Sequence, residues 1–411
     1  MSRAKPFAIP KRTVWEAFKR VRANRGAAGV DKQSIAEFER ELSNNLYKLW
    51  NRLSSGSYFP PPVRRVEIPK SDGGKRPLGI PTVADRVAQA VIKMYLEPLV
   101  EPHFHVDSYG YRPEKSALQA VGVARQRCFV YHWVLDVDIK GFFDHLDHEL
   151  LMRAVRKHTD CKWVLLYIDR WLKAPAQLED GTLIPREEGT PQGGVISPLL
   201  ANIFLHYAFD LWMRRNYPSI PFERYADDVI CHCCSEEQAQ ELQRSIGQRL
   251  AECGLELNLR KTKIVFCKTT RRPGDYPNES FDFLGYVFRP RRAKSCWGPF
   301  VGFSPGVSNS ALKSMQREIR AWRLAKRTDR TLEDLARVIN PVLQGWINYY
   351  GHYSGSAMYP FLTRFHLRLE KWARRKYTGL SCRRAKRWLA REARLRPGLF
   401  AHWTLVPPVA G

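Results

Sequence analysis

Phe222-Glu223-Arg224-Tyr225-Ala226-Asp227-Asp228-Val229-Ile230, running on to Cys234, reads as a strand, an acidic turn and a second strand. Two adjacent aspartates in a tight turn are ordinary in isolation, because Asp bonds readily to its own local backbone. Their meaning changes beside a second acidic stretch, Val137-Asp138-Ile139-Lys140-Gly141-Phe142-Phe143-Asp144. Residues 129–139 predict the clearest buried strand of the chain. Its alternation places Val134, Asp136 and Asp138 on one face and Leu135, Val137 and Ile139 on the other. A carboxylate that ends so apolar a strand needs a counter-charge or solvent.

If the two acidic sites meet, their carboxylates repel and raise each other's pKa. Divalent cations remove that conflict, and hard oxygen ligands with room for water suit Mg²⁺. Two such ions about 4 Å apart can activate an attacking hydroxyl and stabilise a leaving pyrophosphate in an in-line displacement.

The charge balance points the same way. The 411 residues carry 67 Lys and Arg against 41 Asp and Glu, a net charge of +26. Hydrophobic residues at 44% and aromatics at 12% exclude disorder by composition. The excess is concentrated: residues 291–411 hold 24 basic and 6 acidic side chains, with six of the twelve tryptophans interleaved among them. That is more than solubility requires and predicts a nucleic-acid partner. Nine cysteines without framework spacing argue against a disulfide scaffold and favour a reducing cytoplasm. Cys231 and Cys234 form a C-x-x-C with no second pair at zinc-ligand spacing, so core thiols are expected. The first 30 residues hold no hydrophobic signal core. Val195 to Trp212 comes nearest to a membrane span, but Ser197, Pro198, Asn202 and His206 interrupt it, and a buried helix is expected instead.

Around these sites the periodicity predicts helices within 13–55, broken by a loop, Arg22 to Asp31, that contains Gly26 and Gly29. Residues 62–82 predict a hairpin with a Gly-Gly tip at 73–74, and a helix follows from Val83 to Val100. Helical pattern covers 146–173 and 236–252. Ser197-Pro198 reads as a helix start with Ser accepting from exposed amides, and 263–267 and 281–288 read as short strands. After Pro290 the strand signal fades and helical faces dominate, among them Leu332, Leu335, Ile339, Val342 and Trp346. A mixed body over 1–290 and a basic helical module are expected, with no internal repeat.

Tyr225-Ala226-Asp227-Asp228 between two strands resembles the active-site turn of reverse transcriptases, and the rest of the chain resembles the bacterial group II intron-encoded reverse transcriptase/maturase family in order. Gly26 to Asp31 resembles its N-terminal extension loop, and Arg76 to Pro81 and Ser108 to Pro113 its fingers motifs. Asp138 to Asp144, Gly189 to Gly194 with Ser197 to Asn202, Leu257-Asn258 with Lys261-Thr262, and Phe283 to Tyr286 resemble its palm. Gly345 to Tyr350 resembles its helical thumb, domain X. The resemblance spans residues 22 to about 376. It implies an α+β right-hand polymerase: an N-terminal extension over 1–60, fingers and palm with antiparallel sheet over 61–290, an all-helical thumb over 291–376, and a basic nucleic-acid-binding tail over 377–411.

The resemblance also implies roles. Asp138 and Asp227 would bridge two Mg²⁺ with the backbone of Ile139, and Asp228 would be the third carboxylate. Asp136 and Asp144 are rivals for the first position, and Asp144 reads rather as a helix cap before His145-Leu146-Asp147-His148. Phe143, five residues past Asp138, would exclude a ribose 2′-hydroxyl and so select dNTPs. Lys70 and Arg76 would hold the triphosphate, and Gln192 would touch the incoming nucleotide or primer end. Arg22, Arg25 and Gly26 would lie over the template. Tyr225 is either a primer contact or a packing residue, and the same choice stands for Leu284 and Gly285. Lys371, Arg374, Arg375, Arg383, Arg384 and Arg387 would bind intron RNA or target DNA. The implied partners are group II intron RNA, an RNA template with a DNA primer, target DNA and dNTPs. The implied activity is RNA-directed DNA synthesis during intron mobility, with splicing assistance. A splicing-only maturase and a domesticated enzyme of phage defence are the alternatives. No nuclease motif with paired cysteines follows, which puts an endonuclease activity in doubt.

Overall fold

The structure is a computed structural model that describes residues 5–69, 74–296 and 298–407. In chain order it runs α1 (Lys11–Ala23), α2 (Ile35–Arg40), α3 (Leu42–Ser55), β1 (Val63–Pro69), β2 (Lys75–Ile80), α4 (Val83–Val100), α5 (Ala117–Val130) and β3 (Trp133–Val137). Then come α6 (His148–Arg156), α7 (Lys162–Leu172), β4 (Ala176–Gln177), β5 (Leu183–Ile184), α8 (Ser197–Leu205), a π turn over His206–Asp210 and α9 (Leu211–Asn216). The hairpin β6 (Phe222–Tyr225) and β7 (Asp228–Cys233) precedes α10 (Glu236–Glu252), β8 (Lys263–Phe266) and β9 (Phe281–Phe283). Two long strands, β10 (Tyr286–Ser295) and β11 (Gly298–Val307), lead into α11 (Asn309–Ala321), α12 (Leu332–Ser354), α13 (Tyr359–Lys376) and α14 (Cys382–Leu395).

Contacts divide the chain into two compact units. The first holds residues up to Ala120 with Val134–Ile264, and the second holds Val121–Trp133 with residues from Val265 on. The first contains β6, β7 and Val134–Val137 of β3, with β7 between the other two, which sets the two acidic stretches on neighbouring strands. It also contains the sheet β2-β1-β4-β5, in which β1 runs antiparallel to β2 and parallel to β4. In the second unit β11, β10 and β9 form an antiparallel sheet, and α11–α14 bury Met315, Ile319, Leu335, Phe365, Leu369, Trp372 and Leu389 in one core. The fold is thus α+β with a helical C-terminal region.

Several local expectations change. Phe129 and Val130 close α5 and are exposed, and the buried alternation starts only at Trp133. The apolar letters run across a helix end with only His132 between them, which periodicity over so short a stretch does not resolve. The strands continue past Pro290: β10 and β11 pair without a break from Tyr286 opposite Val307 to Ser295 opposite Gly298, although β10 carries Arg289, Arg291, Arg292 and Lys294 and β11 is rich in Gly and Pro. Pro290 is tolerated there: β9 pairs only as far as Phe288, so the missing N–H faces no second strand. Ser197 does not cap α8. Its hydroxyl accepts from Thr190 Oγ1 at 2.9 Å, and the N-cap is Ile196. Nor does Asp144 cap α6: Asp147 does, accepting from Leu150 N at 2.7 Å. Of the C-x-x-C pair, Cys231 is buried and Cys234 exposed, so only the first is a core thiol.

Candidate active site

The β6–β7 hairpin pairs Tyr225 with Asp228, so Ala226 and Asp227 form the turn. Ala226 lies in the left-handed region at φ 57, a conformation that costs a residue with a Cβ about 1 kcal/mol or more. Arg224 holds it there. Its guanidinium has no exposed surface and donates to Asp210 through Nε at 2.7 Å and Nη2 at 2.6 Å, to Asn202 Oδ1 at 2.9 Å and to the Ala226 carbonyl at 3.1 Å. A planar fork meeting a carboxylate bidentately fixes both partners in orientation. From the other side Tyr109 N donates to Arg224 O at 2.8 Å, and Gly110 lies so close that a Cβ would stand 2.9 Å from the Tyr225 carbonyl carbon.

Asp138 follows β3 directly. Its N–H donates to Thr262 Oγ1 at 3.2 Å, and its carbonyl accepts from Asn258 N at 2.8 Å. Asp138, Ile139, Asp227 and Asp228 line one cleft of about 1060 Å³, together with Arg76, Phe143 and Gln192. Asp144 also lines it and Asp136 does not. The aspartates feel one another. Desolvation by the cleft walls, then the charges of Asp227 and Asp138, push the Asp228 carboxyl up to about 6, although its side chain still reaches water. Asp227 is raised by the same desolvation and by Asp138, while Arg76 pulls it down. Among the described residues no three His, Cys, Asp or Glu side chains stand at ready-made metal-ligating spacing. The donor set nevertheless suits a hard divalent cation. It offers hard carboxylate oxygens in mutual conflict, beside Ile139 in a cleft open to solvent, where water could complete the shell.

A second wall of the cleft is built from β2 and the turn before α8. Arg76 Nε donates to Gln192 Oε1 at 2.6 Å, and Gly79 N donates to Gln192 O at 2.7 Å. Gly193, at φ 116, approaches so closely that a Cβ would stand 2.5 Å from the Gly79 carbonyl. The turn is tied down from behind by Gln89, whose Oε1 accepts from Val195 N at 2.7 Å and whose amide donates to the buried Asp85 at 2.9 Å. Phe143 is buried and packs edge-on against Phe142, with its carbonyl fixed by Thr190 N at 2.8 Å. Lys70 lies outside the described residues.

The remaining predicted residues lie elsewhere. Arg22 pairs with Glu39 at 3.1 Å, and Arg25 and Gly26 sit in an exposed loop anchored by Arg86, which donates to the Arg25 and Ala27 carbonyls at 3.3 and 2.7 Å. Leu284 and Gly285, in the second unit, form the tight β9–β10 turn with φ 51 and 78, and Tyr349 Oη donates to Leu284 O at 2.8 Å. Lys371, Arg374 and Arg375 on α13 and Arg383, Arg384 and Arg387 on α14 are exposed. Sequence reasoning missed Asp210, Asn202, Asp85 and Gln89. An Arg immediately before the acidic turn was the one available signal, and it named no partner.

Residues 68–288 match the family described as reverse transcriptase (RNA-dependent DNA polymerase), and residues 312–391 match the group II intron, maturase-specific domain. Among curated relatives, the Protein YkfC of Escherichia coli is 33% identical over 309 residues, covering 65% of this chain and 77% of its own length. The group II intron-encoded protein LtrA of Lactococcus lactis is 38% identical over 194 residues, covering 46% of this chain and 32% of its own. The putative COX1/OXI3 intron 1 protein of Saccharomyces cerevisiae is 32% identical over 276 residues, covering 54% and 33%. The chain therefore spans about a third of the last two relatives' length. With a polymerase match over more than half of its residues and the maturase-specific domain behind it, the chain belongs to the reverse transcriptase family, as a group II intron-encoded reverse transcriptase/maturase.

Proposed function

We propose that the chain copies RNA into DNA from dNTPs by two-metal nucleotidyl transfer during group II intron mobility, and binds intron RNA to assist splicing. The observation that carries this is the meeting of Asp138 with Asp227 and Asp228, from stretches about ninety residues apart in sequence, in a cleft that also presents Arg76 and Gln192. In the reaction the primer 3′-hydroxyl attacks the α-phosphorus of the dNTP, and pyrophosphate leaves. Asp138, Asp227 and the Ile139 carbonyl would hold two Mg²⁺, with Asp228 beside them. Bound there, the ions would lower the pKa of the attacking hydroxyl and neutralise the leaving pyrophosphate. Arg76 offers a planar fork to the phosphate oxygens while Gln192 fixes its orientation, and Lys70 adds a point charge. Phe143 presents a bulky wall where a ribose 2′-hydroxyl would lie.

The domain roles follow the same reading. Residues 61–290 serve as fingers and palm behind an extension at 1–60 that lies over the template through Arg22, Arg25 and Gly26. Residues 291–376 serve as the thumb, and Leu284, Gly285 and Tyr225 meet the primer. The exposed cations from Lys371 to Arg387 bind intron RNA or target DNA, and no helix among the described residues is long and apolar enough to cross a membrane. Primer extension on an RNA template tests the reading. Mg²⁺-dependent dNTP incorporation is expected in the wild type and is lost in Asp227→Asn, and undiminished extension in that variant overturns the metal assignment. Phe143→Ala is expected to admit rNTPs, and unchanged sugar selectivity removes the gate.

A further inference from the structure

Tyr111 has no assigned part in the chemistry, and its surroundings are unusual. Asp107, Ser108, Tyr109 and Gly110 are all buried, yet the next side chain is 55% exposed and lines the cleft that holds the aspartates. Its backbone stands at φ 56, a region that aromatic residues rarely occupy. The ring lies 6.0 Å from that of Tyr225, the residue that leads into the acidic turn.

The loop on either side is held firmly. Asn202 Nδ2 donates to the Gly110 carbonyl at 2.7 Å, so the side chain that binds Arg224 also binds the loop. Arg112 follows directly and is almost wholly buried. It donates to Glu101 Oε1 at 2.7 and 2.9 Å, to the His105 carbonyl at 2.6 Å and to the Ser108 carbonyl at 2.7 Å. The fold thus maintains a strained backbone and leaves an apolar ring open to solvent. A glycine would satisfy the backbone without strain. Backbone strain that persists beside an active site is a reason to ask what the side chain does there.

We infer that Tyr111 is a stacking platform for the 3′-terminal nucleotide of the primer. A flat aromatic face accepts any base, which suits an enzyme that must hold every primer end alike. Its neighbour fixes the choice of occupant. The ring stands beside Tyr225 at the carboxylate turn, where the attacking hydroxyl must arrive, whereas Arg76 and Gln192 mark the nucleotide side. The inference rests on the polymerase reading above.

The test uses the full-length protein and a primer–RNA template duplex with 2-aminopurine at the primer 3′ end. Binding is followed by fluorescence without dNTPs, so this readout does not depend on catalysis. Wild type and Tyr111→Phe are expected to quench the probe, and Tyr111→Gly, which keeps the backbone conformation, is expected to leave it bright. In steady-state extension the KM for primer–template is expected to rise about 10-fold in Tyr111→Gly, with the KM for dNTP unchanged. Equal quenching in Tyr111→Gly overturns the inference, as does a change confined to the dNTP KM, which would place the ring on the incoming nucleotide. Wild-type extension on the same duplex checks the polymerase reading separately.

Discussion

Arg224 and Arg384 belong to one strongly basic chain, and the fold treats them in opposite ways. Arg224 makes four hydrogen bonds with no surface exposed. Arg384 stands exposed on α14, in a row with Arg383 and Arg387. The first geometry fixes the turn that carries Asp227 and Asp228. Chemistry at a phosphorus atom needs groups held to a fraction of an ångström, so the supporting charge is buried with a partner at each guanidinium nitrogen. The second suits a polyanion, whose phosphates are met by charges that remain reachable and whose binding energy comes from released counterions. Charge count alone does not separate these uses; burial and partners do.

Breaking the buried pair is expected to have the largest effect. Asp210→Ala leaves the Arg224 guanidinium buried without its bidentate partner, and a loss of about 3–5 kcal/mol is expected in denaturant unfolding. Extension should fall even at a temperature where the variant stays folded. A variant with wild-type stability and activity would show that the pair does not support the turn.

Two groups, one in each unit, should also answer pH in opposite directions. His402 has no exposed surface, and burial followed by the charge of His366 lowers its pKa to about 3. An unfolded histidine titrates near 6.5, so below that value the unfolded chain binds more protons. The second unit should therefore lose stability as pH falls from about 6.5 towards 3, by at most roughly 1.4 kcal/mol per pH unit for this group. His402→Phe should flatten that slope, and an unchanged slope would exclude His402 as its source. Asp228 acts in reverse. Its folded pKa of about 6 lies above the unfolded value, so in metal-free protein its stabilising proton is fully held at low pH and lost as pH rises through 6. Asp228→Asn should raise the metal-free melting temperature at pH 7 by about 1–2 °C and leave it unchanged at pH 4. A lower melting temperature at pH 7 would contradict the crowding of the carboxylates.

The smallest effect per residue is expected on the basic helices. Binding to RNA should weaken steeply between about 50 and 200 mM salt, and each of Arg383→Ala, Arg384→Ala and Arg387→Ala should reduce the log–log salt slope by about 1. A flat salt response, or slopes unchanged in all three variants, would move the nucleic-acid surface elsewhere.

How much of this was legible in the sequence follows from the range of the forces involved. The periodicity of residues 236–252 coincides with α10, and Val83 to Val100 coincides with α4, because a helix face records its own burial every three to four residues. The acidic turn was legible for the same local reason. The end of α5 was not, since Phe129 and Val130 are apolar yet exposed. Nor was β11, whose Gly298, Pro299, Gly302, Pro305 and Gly306 read as a loop. The candidate carboxylates could be named from motif order alone. The bonds that fix them could not, because Asp210 and Asn202 meet Arg224, and Gln89 meets Val195, only through tertiary packing. Tyr111 stands in a motif that was read, but its exposure and backbone conformation exist only in the fold.

The central claim is that Asp138 and Asp227 act as one unit. Single-turnover extension with Asp138→Asn, Asp227→Asn and the double variant tests it most directly. One shared metal centre predicts that the double variant is no slower than the worse single variant. Losses that multiply in the double variant would mean that the two aspartates work independently, and would contradict the account.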